Sequence, residues 1–135
     1  MTPVLLDASA VVEYLLRTER AGRVEAIIQR SDVVLHIPAL CDIEVASALR
    51  RALIHGRVSL GRVAEAIDDL RDLPLVRHGH QSLIERVLDL RNNFSAYDAT
   101  YIALAERLGA ALLTADGHLA RAIQDHLTLV VIAAS

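Results

Sequence analysis

Short apolar runs alternate with longer segments of helical periodicity along this chain. The apolar runs predict strands at Val4–Leu6, Val33–Ile37, Leu75–Val76, Ala111–Thr114 and Thr128–Ile132. Apolar residues at three- and four-residue spacing predict helices over Ala8–Arg17, Ala21–Arg30, Pro38–His55, Ser59–Leu73, His80–Asn92, Ser95–Leu108 and Gly117–Asp125. Strands separated by helices are typical of a parallel sheet covered on both faces. The pattern therefore predicts a three-layer α/β/α sandwich with a mostly parallel central sheet.

The length and composition predict a single domain over residues 1–135. Hydrophobic residues make up 53% of the 135 positions, which excludes disorder for all but the chain ends. No linker, repeat or low-complexity stretch divides the sequence. The first residues lack the basic and apolar regions of a signal peptide, and no apolar run approaches the length of a membrane span. We therefore expect a cytoplasmic protein with no membrane contact.

The charged residues exclude several classes of chemistry. All 14 basic residues are arginines, so P-loop nucleotide binding, Schiff-base chemistry and other lysine-dependent reactions are excluded. Cys41 is the single cysteine, which excludes internal disulfides and cysteine-based zinc clusters. The net charge is −3 and aromatic residues make up only 3% of the chain. Contact with a nucleic acid would therefore depend on a local group of arginines.

Two aspartates occupy positions at which parallel α/β proteins bind ligands, and a third begins a nearby helix. Asp7 and Asp116 each follow a predicted strand, and Asp98 begins the helix that precedes the fourth strand. Ligands of such sheets bind outside the carboxyl ends of the strands. Each residue also has a purely structural interpretation, because an acid at a helix N-terminus caps the helix or interacts favourably with its dipole.

Glu44 adds a fourth candidate carboxylate. On an ideal helix it shares a stripe with Leu40, Ser47 and Arg51, which also allows a solvated acid loosely compensated by Arg51. Mg²⁺ and Mn²⁺ prefer several carboxylate oxygens, and clustered carboxylates repel one another without a cation. Considered together, the four acids indicate a divalent metal site.

Other polar residues are weaker candidates. Ser9 and Thr114 lie two residues from Asp7 and Asp116 and could support the acids, whereas Ser9 could equally be an ordinary first-turn serine. The histidines show no metal-ligand spacing, and His118 is the one near the predicted site. Acids such as Asp42, which lies about 160° from Glu44 around an ideal helix, are interpreted as solvated.

Three segments together resemble the PIN domain family. They are VLLDASAVVEYLL, IPALCDIEVASALRR and FSAYDATYIALAERLGAALLTADGHLARA. In its compact single-domain form the chain is similar to VapC toxins, the ribonuclease partners of bacterial toxin–antitoxin pairs. The resemblance implies the strand order 3-2-1-4-5. It also implies that the catalytic acids are Asp7, Glu44, Asp98 and Asp116, of which Asp7, Asp98 and Asp116 hold the metal, with Ser9 and Thr114 in support.

The resemblance implies a Mg²⁺- or Mn²⁺-dependent endoribonuclease that acts as a toxin and cleaves RNA with activated water. The implied partners are an RNA substrate, a VapB-like antitoxin and a second copy of the chain in a homodimer. Arginine suits phosphate binding because its guanidinium forms two parallel hydrogen bonds. The candidates for holding RNA phosphates are Arg17, Arg20, Arg23, Arg50 and Arg51.

Two alternative functions follow from the same residues. A phosphatase could form an aspartyl-phosphate on Asp7, but it would need an acid where this chain has Ser9, and a lysine, which is absent. A non-catalytic binding module could retain the fold. Loss of one or more acids would mark such a module, and all four acids are present.

Overall fold

A parallel sheet forms the centre of the molecule in the computed structural model, which describes residues 1–134. Its strands are β1 (Thr2–Leu6), β2 (Val33–Pro38), β3 (Leu75–His78), β4 (Ala111–Thr114) and β5 (Val131–Ala133). The order is β3-β2-β1-β4-β5, and every neighbouring pair is parallel. These observations confirm the predicted α/β class and the strand order 3-2-1-4-5. The predicted domain includes residue 135, which lies outside the described residues.

The helices follow the predicted pattern with small changes in their bounds. They are α1 (Ala8–Leu15), α2 (Ala21–Ile28), α3 (Leu40–Ile54), α4 (Leu60–Asp72), α5 (Ile84–Asp89), α6 (Ala96–Leu108) and α7 (Gly117–His126). In residues 1–134, no helix has both the length and the apolar character that a membrane span requires.

The segment after β3 differs from the single helix predicted there. A short 3-10 turn at Gln81–Leu83 leads into α5, which ends at Asp89. Leu90 and Phe94 both reach the core, and the amides of Asn93 and Phe94 donate to the Leu90 carbonyl oxygen. The helix therefore ends before Asn92, and the turn leads the chain to the start of α6.

The core is aliphatic and centres on β1, β4 and α6. Leu5, Leu6, Leu112 and Leu113 are fully buried, as the central strands of a sheet covered on both faces should be. In α6, all seven residues from 99 to 105 are buried. Complete burial of a large aliphatic side chain contributes about 1.5–3 kcal/mol. These elements therefore form a rigid base for any side chain at their ends.

The topology leaves a crevice at the carboxyl ends of β1 and β4. The chain passes from β1 to β2 on one side, while β4 lies on the other side, so the strand order reverses between them. The Asp7 amide donates to the Leu113 carbonyl oxygen at 3.1 Å, which joins the two strand ends. Ligands of open α/β sheets bind where the strand order reverses in this way.

Gly109 ends α6, the helix before β4, with a φ of +62°, in the left-handed region that glycine adopts without strain.

Candidate active site

Asp7 is the most deeply buried acid of the crevice. It is 5% exposed and lies between the end of β1 and the start of α1. Its Oδ1 accepts hydrogen bonds from the Ser9 hydroxyl at 2.7 Å and the Ala10 amide at 3.0 Å, and its Oδ2 accepts from the Thr114 hydroxyl at 2.5 Å. The residue therefore caps α1, as the structural interpretation expects, while its position also suits a ligand site.

The protonation of Asp7 reflects its surroundings. Burial raises the pKa of the Asp7 carboxyl to about 6, and the nearby charge of Asp116 adds to this rise. The hydrogen bonds from Ser9, Thr114 and Ala10 oppose it. Among residues 1–134, no arginine or histidine forms an ion pair with Asp7. The carboxylate thus lies in a protein interior that supplies hydrogen bonds but no compensating positive charge.

Ser9 and Thr114 connect the two strand ends. Besides its bond to Asp7, the Ser9 hydroxyl oxygen accepts from the Ala115 amide at 2.9 Å and lies 3.2 Å from the Thr114 hydroxyl oxygen. Thr114 is fully buried, and its hydroxyl oxygen accepts from the Asp116 amide at 3.0 Å. The two hydroxyls therefore fix both the Asp7 carboxylate and the backbone that carries Asp116.

Asp116 caps α7 at the open side of the crevice. Its Oδ1 accepts from the amides of His118 and Leu119 at 3.0 and 3.1 Å. In the described part of the chain, Oδ2 accepts no hydrogen bond, and the residue is exposed. The His118 ring accepts from the Arg121 guanidinium at 3.1 Å. One oxygen of Asp116 is thus used by the helix, and the other is available to a ligand.

Asp98 lies in the first turn of α6. The Ser95 hydroxyl caps this helix by accepting from the Asp98 amide at 3.1 Å, so the Asp98 carboxylate is not needed as the cap. Asp98 is half-buried. Burial raises the pKa of its carboxyl, and the charges of Asp116 and Glu44 raise it further. These charge effects show that the three acids share one electrostatic environment.

Glu44 is held by a residue that the sequence analysis did not identify. The Tyr101 hydroxyl donates to Glu44 Oε1 at 2.6 Å, and Tyr101 is only 2% exposed. Burial raises the pKa of the Tyr101 phenol far above its ordinary value, and the neighbouring Cys41 and Glu44 raise it further. The hydroxyl therefore remains a donor. Arg51, the expected partner of Glu44, instead donates to the Ser47 hydroxyl at 3.1 Å.

Tyr101 has a recognisable position in the sequence. It follows Asp98 by three residues, a spacing that places two side chains on the same face of a helix.

Asp42 behaves differently from Glu44, because it forms a two-bond ion pair with Arg77 at 2.7 and 3.0 Å. Burial raises the pKa of the Cys41 thiol to about 12, so this cysteine is not poised as a nucleophile.

The four acids line one open cavity of about 440 Å³. Its walls come from β1, α1, α3, α6 and the loop after β4. The lining residues are Asp7, Ala8, Ser9, Val12, Glu13, Glu44, Ser47, Ala48, Arg51, Asp98, Tyr101 and Asp116. The structure therefore brings together all four acids that the sequence indicates, although they come from distant parts of the chain.

The candidate phosphate-binding arginines are placed unequally. Arg51 lines the cavity, whereas Arg50 lines a separate apolar groove between α3 and α4. Arg17 stacks on the Tyr14 ring and lies 3.8 Å from Asp69. Arg20 donates to the Ala115 carbonyl oxygen at 3.1 Å, beside Asp116, and Arg23 is exposed on α2. Arg51 and Arg20 are thus the two nearest the acids.

The donor chemistry of the cavity fits a hard divalent cation. The available ligands are carboxylate oxygens, which Mg²⁺ and Mn²⁺ prefer. Burial raises the pKa of Asp7 and Asp98, the charges of neighbouring acids add to the rise, and a bound cation would favour the ionised carboxylates. Within residues 1–134, no three acid, histidine or cysteine side chains already converge to ion-binding distance. The acids would therefore have to move closer together on binding a cation.

The family is established by comparison with known proteins. The PIN domain family model matches residues 4–123. The chain is also 42% identical to ribonuclease VapC3 of Mycobacterium tuberculosis over 120 residues, which cover 88% of this chain and 86% of that protein. The chain belongs to the PIN domain family. Within it, this PIN domain is of the VapC type.

Solved structures agree with this PIN fold. The crystal structure of PAE2754 from Pyrobaculum aerophilum aligns with a TM-score of 0.73 at 21% identity, covering 96% of this chain and 83% of that one. VapBC2 from Rickettsia felis, crystallised with a DNA fragment from its promoter, aligns with a TM-score of 0.68 at 12% identity, and 98% of each chain is covered. At these identities the likeness supports the fold of the PIN domain alone.

Proposed function

We propose that this PIN domain is a metal-dependent endoribonuclease and the toxin of a toxin–antitoxin pair. The main support for the proposal is that Asp7, Glu44, Asp98 and Asp116 all line one cavity. The identity to a protein named as a ribonuclease supports RNA as the substrate. The nucleophile would be water, which agrees with the absence of lysine and with a buried Cys41 whose pKa is raised to about 12.

Asp7, Asp98 and Asp116 would hold Mg²⁺ or Mn²⁺. When bound, such a cation lowers the pKa of water and neutralises charge that develops on a phosphate. The hydrogen bonds from Ser9 and Thr114 keep the Asp7 carboxylate in one orientation, so it needs no rearrangement during the reaction. Asp116 keeps its capping contact through Oδ1 and presents Oδ2.

Glu44 has a different task in this proposal. Its Oε1 is occupied by the Tyr101 hydroxyl, which leaves Oε2 to accept a proton from the attacking water. Arg51, on the same wall of the cavity, would bind a neighbouring phosphate of the RNA.

The proposed partners follow from the family. The Rickettsia felis neighbour bears the name of a VapB and VapC pair, and we propose that a VapB-like antitoxin binds and silences this chain. We also propose that the chain forms a homodimer. Since its substrate and antitoxin would be in the cytoplasm, the protein would act there.

Induced expression tests the proposal in cells. The wild-type protein should arrest growth, and mapped RNA ends should show new internal cleavage sites. Asp98→Asn should abolish both effects, whereas Asp89→Asn, which alters an exposed acid on α5, should retain them. Growth arrest by Asp98→Asn equal to that of the wild type would contradict a catalytic role for the acidic cavity.

A further inference from the structure

We infer that Tyr101 is a positioning residue that orients Glu44, holding one carboxylate oxygen so that the other alone can face the reacting groups. The inference rests on the proposed ribonuclease function. Its structural basis is a hydrogen bond of 2.6 Å between the Tyr101 hydroxyl and Glu44 Oε1. This length is typical of a hydroxyl that donates to an ionised carboxylate, which is among the stronger hydrogen bonds in proteins.

Tyr101 itself is held firmly. Its side chain is 2% exposed, and it lies in the part of α6 in which every residue is buried. A tyrosine ring has few rotatable bonds, and burial leaves this one in a single position. Tyr101 is also one of the residues that line the cavity containing the acids. The donor is therefore fixed in place before any ligand arrives.

Glu44 depends on this donor for its orientation. A glutamate side chain has several rotatable bonds and loses considerable freedom when it is fixed. Among the described residues, Tyr101 is the one that donates a hydrogen bond to the Glu44 side chain. Arg51 donates to the Ser47 hydroxyl and not to Glu44. Without the hydroxyl, the carboxylate would sample several rotamers around the open cavity.

The contact also connects two walls of the cavity. Glu44 belongs to α3 and Tyr101 to α6, and they are 57 positions apart in the sequence. Asp98 lies one turn before Tyr101 on α6. The hydrogen bond therefore fixes the position of Glu44 relative to Asp98, which no contact within either helix could do. Such alignment of reacting groups within a fraction of an ångström strongly affects catalytic rates.

Removing the hydroxyl alone tests the inference. Tyr101→Phe keeps the buried ring, and Tyr97→Phe is the matched control, because Tyr97 lies on the same helix and is 61% exposed. RNA cleavage is measured over a range of substrate and Mn²⁺ concentrations. For Tyr101→Phe we expect kcat to fall by about tenfold or more, the scale of a lost hydrogen bond to a charged group, with little change in KM. Tyr97→Phe should match the wild type.

A double-mutant cycle shows whether Tyr101 acts through Glu44. Tyr101→Phe should have no further effect on kcat when Glu44 is already changed to Gln, because the group it positions is then inactive. A kcat for Tyr101→Phe equal to that of the wild type would overturn the inference. An equal loss in the Glu44→Gln background would also overturn it.

A measurement without RNA separates this inference from the proposed function. By NMR, the Tyr101 hydroxyl proton should be protected from solvent exchange in the wild type and should lose protection in Glu44→Ala. A rapidly exchanging wild-type hydroxyl proton would refute the contact, whatever the activity. A protected proton in a protein that cleaves no RNA would instead refute the ribonuclease function on which the catalytic role depends.

Discussion

Asp7 illustrates how one residue serves both the fold and the proposed chemistry. Its carboxylate caps α1, joins β1 to β4 through Thr114 and faces the cavity. An uncompensated buried carboxylate costs stability, and burial raises its pKa to about 6 from an ordinary value of 3.8. Binding sites often contain such groups because a ligand supplies the missing charge.

The pKa of Asp7 predicts a pH-dependent stability in the metal-free protein. The folded state binds the Asp7 proton more tightly than the unfolded state does. The resulting stabilisation is complete below the unfolded pKa of 3.8 and is lost as the pH rises through about 6. The shift corresponds to about 3 kcal/mol. Urea unfolding of the wild type and Asp7→Asn across this range should show the wild type losing stability relative to the variant as the pH rises.

Asp7→Asn removes the ionisable group but retains the cap of α1, because asparagine is also a good N-cap and keeps an oxygen that can accept from Ser9 and Ala10. Other carboxylates titrate in both proteins and cancel in the difference. A stability difference between the two proteins that stays constant from pH 3.5 to 7 would show that Asp7 has an ordinary pKa.

At the scale of elements, the acids are positioned by strand ends and helix starts. Asp7 and Asp116 follow β1 and β4 and cap α1 and α7, while Asp98 begins α6 behind its own Ser95 cap. These arrangements are local in the sequence, so hydrophobic periodicity and capping residues predict them. The same rules predict the order of strands and helices along the chain.

Other features depend on contacts between distant elements and could not be predicted in this way. The hydrogen bond between Tyr101 and Glu44 requires the fold to place α6 and α3 on the same cavity, and helical arithmetic for α3 alone left Glu44 as a possible surface acid. The turn after Leu90, which ends the predicted helix early, depends on burial of Phe94. In each case, packing between elements determined the outcome.

The link between β1 and β4 predicts a structural role for Thr114. Thr114→Val keeps the shape of the side chain but removes its hydroxyl, which bonds both Asp7 and the Asp116 amide. Leaving buried polar groups without partners costs about 1–3 kcal/mol. We expect a loss of that size in the free energy of unfolding measured in urea.

Thr128→Val is the matched control, because Thr128 is exposed between α7 and β5. Its unfolding free energy should stay within about 0.5 kcal/mol of the wild type. Equal stability of Thr114→Val and the wild type would mean that the Thr114 hydroxyl does not hold the strand ends together.

At the scale of the whole molecule, the acidic cavity predicts how the proposed antitoxin would silence the protein. A guanidinium can bind two carboxylates at once and could occupy the place of a metal ion. We expect an arginine or lysine of the antitoxin to enter the cavity and compete with Mg²⁺ for the same oxygens. Titration calorimetry of the pair should show weaker binding as Mg²⁺ is raised.

Asp98→Asn should also weaken this complex, by about 1.5–3 kcal/mol if a hydrogen bond to a charged group is lost. Asp89→Asn, which changes an exposed acid outside the cavity lining, should leave the affinity unchanged. An affinity that is indifferent to both Mg²⁺ and Asp98→Asn would indicate that the antitoxin covers the cavity from its rim without inserting a cation.

The central claim is that the acids around the cavity hold a divalent cation for RNA cleavage. The most direct test is the Mn²⁺ dependence of RNA cleavage by the purified wild type, Asp116→Asn and Asp125→Asn. Asparagine at position 116 can still cap α7 but has lost the carboxylate charge, and Asp125 is an exposed acid on the same helix. We expect Mn²⁺-dependent cleavage by the wild type and Asp125→Asn, and a loss of about 100-fold or more in Asp116→Asn. Cleavage that needs no divalent cation, or that survives unchanged in Asp116→Asn, would contradict the claim.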